Sequence, residues 1–198
     1  MMGTRTAAFF TRTALAAAVI FVAGCASGPR LYVNSEADLA YYKKVAVLPF
    51  RNLTTERFAG ERVTRAFLTE LVMLERYQLV DMNEFASVLD KIGGMPGSEG
   101  IYNPVKVQDA ATQVQATGIL RGAVTEYTMQ RRGAADVPSV AFDVELIDAA
   151  TSAVVWRVSV ARRGKGKVPI FGSGERTYAQ VVQDAVRDVV GRIEREAY

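Results

Sequence analysis

Lys43-Lys44-Val45-Ala46-Val47-Leu48-Pro49-Phe50-Arg51-Asn52 is the stretch from which the fold can be read. Four apolar residues in a row, entered from a lysine pair and stopped by Pro49, predict a short strand buried on both faces. Proline donates nothing to a sheet ladder, so Pro49 should end the strand and residues 50–55 should leave it as a loop. That loop has neither the glycines of a phosphate cradle nor a nucleophile, so it reads as a helix cap or contact edge.

Working outward, residues 55–74 predict a helix. Phe58, Val63, Phe67, Leu71 and Leu74 recur on one face, with Glu56, Arg57, Glu61, Arg62 and Arg65 largely opposite. Residues 77–80 predict a second short strand, and Asp81 with Glu84 makes a capping-box-like start for a helix through Ile92. Strand, helix, strand at this spacing is a βαβ unit, so the two strands should be parallel.

Residues 93–104 carry Gly93, Gly94, Pro96, Gly97, Gly100 and Pro104 and read as a loop. As a phosphate cradle it fails, because no Lys-Ser/Thr follows and no buried strand leads in. Residues 105–115 predict a short helix with Val107, Ala110, Ala111 and Val114 on one face. Three strands follow. Residues 118–129 are apolar and partly alternating, 140–147 place Val140, Phe142, Val144 and Leu146 on one side, and 154–161 set Val154, Trp156, Val158 and Val160 against Val155, Arg157 and Ser159. A tight turn at Asp148-Ala149-Ala150-Thr151-Ser152 and a polar one over 130–139 make them an antiparallel meander with one packed face and one wetter face. Thr177-Tyr178-Ala179-Gln180 caps a last helix, whose Val181, Ala185, Val189 and Ile193, with Val182, Val186 and Val190, should cover the sheet. The expected fold class is α/β: a single mixed sheet of about five strands, an N-terminal parallel βαβ unit followed by an antiparallel meander, covered by about four helices.

Composition narrows the function. Hydrophobic residues make up 49% of the 198 and charged ones 23%, the balance of a globular protein. Of the 24 basic residues, Arg5 and Arg12 lie in the leader; the other 22 face 21 acidic ones, which leaves no footprint for nucleic acid. There is no histidine, the commonest general base and metal ligand, and a single cysteine, Cys25, excludes intramolecular disulfides and thiolate metal clusters. Neither a metal nor a cofactor is expected, and the balance tilts away from an enzyme.

Residues 1–24 run basic, then apolar from Ala14 to Val22, then small, the order of a secretory signal. The apolar run is far short of the roughly 20 residues that a membrane-spanning helix needs. It ends in Val22-Ala23-Gly24-Cys25, which resembles the lipobox of bacterial lipoproteins. That resemblance implies cleavage before Cys25 and acylation of its sulfur and new N-terminus. Each buried CH₂ then contributes about 0.8 kcal/mol, so several chains hold firmly. Ala26 and Ser27 lack the aspartate that typically retains such proteins at the inner membrane, so the outer membrane is favoured. The expected organisation is a cleaved signal over 1–24, a lipidated cysteine and tether over 25–42, and one domain over 43–198. Fully extended, the 17 residues from Ala26 to Tyr42 reach at most about 60 Å, so the domain should stay close to the membrane.

Three phrases in order carry a wider resemblance. They are Val45-Ala46-Val47-Leu48-Pro49-Phe50 with Asn52 and Thr54; Thr117-Gly118-Ile119-Leu120-Arg121-Gly122-Ala123-Val124-Thr125-Glu126-Tyr127; and Val144-Glu145-Leu146-Ile147-Asp148 followed by Thr151. With the lipobox they cover most of residues 43–196, and the chain resembles the CsgG-like periplasmic domain. That group includes the curli-secretion channel lipoprotein and the peptidoglycan-synthase activator lipoprotein, with a fold similar to the TolB N-terminal domain. Two departures stand out. A membrane hairpin needs about 20 alternating residues, whereas the segments 130–139 and 162–176 hold 10 and 15 that do not alternate, which argues against a self-sufficient pore. The synthase activators use a long flexible tether, and residues 26–42 are short for that.

The expected function is therefore a lipid-anchored, non-enzymatic adaptor that binds envelope proteins from the periplasmic side of the outer membrane. The alternative is an oligomeric component of a curli-type or related export system, a homo-oligomer. A hydrolase using Asp143, Glu145 or Glu126 is set aside, because these alternate with apolar residues and read as the wet sheet face. The candidate contact loop is the basic, glycine-rich segment with Arg162, Arg163, Lys165, Lys167, Ile170 and Phe171.

Overall fold

Lys44–Val47 is the second strand of the sheet, β2, and it has a parallel neighbour on each side. The computed structural model describes residues 28–132, 135–164 and 177–198. Its other strands are β1 (Arg30–Val33), β3 (Arg51–Asn52), β4 (Gln78–Leu79), β5 (Gly118–Arg132), β6 (Ala135–Asp148) and β7 (Val154–Arg163). They form one sheet in the order β1-β7-β6-β5-β2-β4, with β3 paired to β5 beyond the end of β2. The helices are α1 (Ala59–Met73), α2 (Met82–Lys91), α3 (Pro104–Gln113) and α4 (Tyr178–Ala197). The parallel unit, the antiparallel meander and the four helices follow the sequence expectation; the seven strands exceed it.

Each added strand has a local cause. Pro49 does interrupt the ladder, but the chain resumes. Leu48 N donates to Leu120 O at 2.9 Å, and Phe50 N turns away to Thr64 Oγ1 of α1 at 3.0 Å. Arg51 and Asn52 then rejoin β5 opposite Ala123 and Val124. The expected loop over 50–55 is thus a bulge followed by β3. Asn52 also shapes the turn ahead of α1: its Oδ1 accepts from Thr54 N, and its Nδ2 donates to the carbonyls of Glu56 and Arg57. That turn delays α1 to Ala59, four residues later than the periodicity predicts.

Arg30–Val33, read from sequence as part of a tether, is an edge strand antiparallel to β7, with Leu31 and Val33 packed against the core. Tyr42 is buried as well. The polar turn expected over 130–139 is mostly strand, because the β5–β6 ladder continues from Thr128 opposite Ser139 to Arg132 opposite Ala135. A hydrogen-bonded ladder needs no apolar side chains, so polarity there hid it.

Two apolar layers hold the sheet. One face packs Val45, Val47, Leu120, Phe142, Leu146 and Trp156 under α1 and α4. The other packs Ala46, Leu48 and Ile119 under Phe85 and Leu89 of α2 and Val107, Ala110 and Ala111 of α3. Both helix starts are capped: Thr177 and Gln180 form a reciprocal capping box on α4, whereas Asp81 caps α2 by accepting from Asn83 N and Glu84 N without the return bond from the Glu84 side chain. Among the described residues no helix is long and apolar enough to cross a membrane.

Candidate functional site

Alternation along β5, β6 and β7 sends every second side chain to each face. Leu120, Phe142, Val144, Leu146, Trp156 and Val158 enter the layer beneath α1 and α4. Arg121, Glu145 and Arg157 therefore emerge on the other face, and the register lines them up. Arg121 stands opposite Glu145, Glu145 opposite Arg157, and Arg157 opposite Tyr32 of β1. One step along the strands, Ala123, Asp143, Ser159 and Arg30 make a second row.

The apolar layer beneath α2 and α3 covers the end of this face formed by β2, Val80 after β4, the start of β5, and Ile147 and Val154 at the β6–β7 turn. The charged rows beyond it floor a groove of about 300 Å³, walled by Leu48, Pro49 and Arg51 on one side and Ile101, Tyr102 and Gln108 on the other. The second wall is fixed in place by α3. Asn103 caps that helix through Val105 N, Pro104 opens it, and Gln108 Nε2 donates to Ala150 O at 2.8 Å on the β6–β7 turn.

Within the groove Arg121 Nε donates to Glu145 Oε1 at 2.6 Å, while Arg157 Nε lies 3.5 Å from Glu145 Oε2. Glu145 is only 8% exposed, beneath two guanidinium groups whose side chains remain 44% and 58% exposed. Its Oε2 is buried and accepts no hydrogen bond. Asp143 accepts from Ser159 Oγ across the β6–β7 pair. The expectation of a wet face thus holds for Asp143 and is corrected for Glu145, which the arginines cover. Glu126 accepts from Gln130 Nε2. The arrangement offers guanidinium donors and a buried acceptor, the equipment of recognition rather than of proton transfer.

The residues singled out from sequence fare differently. Cys25 and the lipobox residues Val22, Ala23 and Gly24 lie outside the described residues, as do Lys165, Lys167, Ile170 and Phe171. Arg162 and Arg163 belong to β7 rather than to a loop. Arg162 is paired with Asp188 of α4, and the ladder runs on to Gly164, whose N–H donates to Pro138 O at 2.7 Å. Arg51, Arg121 and Arg157, which sequence reading passed over as site residues, are the cations that meet in the groove. The signal for the latter two was their phase, each alternating with the residues of the packed face.

A second recess lies between α1 and α4, where Tyr127 and Tyr178 stack at 4.7 Å and Arg187 Nε reaches Glu70 Oε1 at 2.9 Å. Glu70 is spent on that bridge, and Arg62 and Arg65 on local ion pairs with Glu56 and Glu61.

Residues 25–160 match the family model of the peptidoglycan-synthase activator LpoB. No curated protein matches the chain. Among solved structures, the PelC dodecamer from Paraburkholderia phytofirmans aligns with a TM-score of 0.55 at 21% identity, covering 82% of this chain and 95% of that one. Lipoprotein GNA1162 from Neisseria meningitidis aligns with a TM-score of 0.56 at 15% identity, covering 78% and 99%. At such identities the similarity is one of fold.

Proposed function

The chain belongs to the peptidoglycan-synthase activator LpoB family, and from that membership we propose that it is a lipid-anchored adaptor of cell-envelope assembly. In this reading Cys25 is acylated after removal of residues 1–24 and holds the domain on the periplasmic side of the outer membrane. The domain binds a peptidoglycan synthase and raises its activity without catalysing a reaction itself. The observation that carries the reading is the family match over residues 25–160, which runs from Cys25 through β1 and most of β7. The chemistry of the sheet face supports the non-catalytic part, since Glu145 and Asp143 are engaged by Arg121 and Ser159 and the chain has no histidine.

The test is crosslinking of the full chain in cells followed by identification of the captured proteins. A peptidoglycan synthase is the expected partner, and the full chain should then accelerate glycan-strand polymerisation by that synthase in detergent micelles. Capture without any synthase, or capture with an unchanged polymerisation rate, overturns the reading. A Cys25→Ala variant should incorporate no labelled fatty acid and leave the membrane fraction; continued incorporation sinks the anchor. The alternative of an oligomeric export component has only the fold similarity to PelC behind it, and light scattering on the lipidated chain separates a ring from a monomer.

A further inference from the structure

We propose that the groove on the open sheet face is a binding site for an α-amido carboxylate, the chemical unit that ends a peptide. Three features of the groove point to this ligand, and none depends on whether a synthase is the partner.

The first is spare donor capacity. Arg51, Arg121 and Arg157 line one groove, and each guanidinium carries five N–H donors. Among the described residues their side chains make a single hydrogen bond, from Arg121 Nε to Glu145 Oε1. The terminal nitrogens of Arg121 are left over, and Arg51 has no ion-pair partner among those residues. Arg51 stands opposite Ala123, two residues along β5 from Arg121, so the two guanidinium groups flank one corner of the groove. Paired guanidinium groups with free in-plane donors recognise carboxylates.

The second is the orphan acceptor. Glu145 lines the same groove, and its Oε2, buried beneath the Arg157 guanidinium 3.5 Å away, receives no hydrogen bond. A buried carboxylate oxygen left without a donor is unusual, and a ligand N–H supplies one. A ligand bearing only a carboxylate leaves this oxygen unsatisfied. A ligand bearing only an amine leaves the arginines unused.

The third is an apolar wall. Ile101, 53% exposed, and Tyr102 face Leu48 and Pro49 across the groove, a place for a hydrophobic side chain. The assignment puts the carboxylate on Arg51 and the terminal nitrogens of Arg121, the side chain against Ile101 and Tyr102, and the amide N–H on Glu145 Oε2, which the exposed Arg157 side chain uncovers by swinging aside. At about 300 Å³ the groove stands at the small end of ligand sites, enough for one or two residues and not for a long strand.

The experiment is calorimetric titration of the full chain in detergent micelles with N-acetyl-leucine, N-acetyl-leucinamide and acetate. N-acetyl-leucine should bind saturably with one-to-one stoichiometry. The amide, which lacks the carboxylate, and acetate, which lacks the N–H and the side chain, should each bind at least tenfold more weakly. Arg51→Gln alters an exposed, unpaired side chain, so the unfolding midpoint should hold while affinity for N-acetyl-leucine falls at least tenfold. Absence of saturable binding, equal binding of the amide, or an unchanged affinity in Arg51→Gln overturns the proposal. Extension by one residue, to N-acetyl-alanyl-leucine, separates the sources. Tighter binding than N-acetyl-leucine identifies a peptide end as the ligand, and equal binding identifies a free amino-acid derivative. The synthase reading stands or falls on crosslinking, so failure of one leaves the other intact.

Discussion

Asp148 shows how one side chain closes a turn and joins two parts of the chain. Its Oδ1 accepts from Ala150 N, Thr151 N and Thr151 Oγ1, and its Oδ2 from the hydroxyl of Tyr42 at 3.1 Å. Burial acts to raise its carboxyl, but the hydrogen bonds from Thr151, Tyr42 and Ala150 outweigh it and hold the group below the ordinary carboxylate range. Burial first, and the bond to Asp148 second, push the Tyr42 hydroxyl up to about 12. The two shifts act at opposite ends of the pH scale. A carboxyl depressed in the folded state contributes stability above its unfolded value, lost as pH falls through the folded one. A phenol raised from 10.0 to about 12 contributes stability that is complete below 10.0 and lost as pH climbs toward 12. Asp148→Ala should cost about 1–2 kcal/mol near neutrality and flatten the acid limb, read from urea unfolding over a pH series. Tyr42→Phe should spare most of that acid limb and flatten the alkaline one.

At the scale of elements, the contact between β2–β3 and α1 is a tight seam. A Cβ on Gly60 would lie 2.5 Å from the Phe50 carbonyl oxygen, which is backbone and cannot swing aside. Thr64 clamps the same seam, accepting from Phe50 N at 3.0 Å and donating to Gly60 O at 2.7 Å. Gly60→Ala should therefore destabilise by about 1–3 kcal/mol despite the better helix propensity of alanine, measured by chemical denaturation. The seam also marks where sequence reading succeeded and where it stopped. Pro49 announces the end of a strand, but the rescue of Phe50 N by Thr64, 14 residues away, cannot be seen without the helix in place. β1 is similar, because Arg30-Leu31-Tyr32-Val33 alternates too briefly to declare itself before β7 offers a ladder. The long periodic elements were legible because periodicity is local. Arg121, Glu145 and Arg157 come from three strands, so their meeting depends on register, which no single segment encodes.

For the molecule as a whole, protection should be graded from the centre of the sheet outward. β6 has a long antiparallel partner on each side and side chains buried beneath α4, whereas β4 holds β2 through two residue pairs and β1 holds β7 through four. Amide hydrogen exchange should find the slowest sites along Phe142–Leu146 and the facing residues of β5, opening only with global unfolding. The amides of β1 and β4 should exchange by local opening, orders of magnitude faster. Equal protection across the sheet would contradict this ordering. The C-terminal end is also secured to the core: Tyr198 bonds to Tyr77, whose hydroxyl accepts from Trp156 Nε1 at 3.3 Å, and Arg76 lies over the Tyr198 ring at 4.6 Å.

The edge position of β1 has a mechanical consequence. Any force applied to the chain ahead of Arg30 enters the domain through this strand, whose contacts to β7 end at Arg30 opposite Ser159 and Val33 opposite Trp156. A pull across the sheet breaks those contacts one pair at a time, like a zip, while a pull along the strand must shear all of them together. The same four residues are therefore compliant in one direction and stiff in the other. Tension that peels them away bares the backbone edge of β7 and strips Leu31 and Val33 from the core beside Trp156, while β6 and β5 keep their ladder.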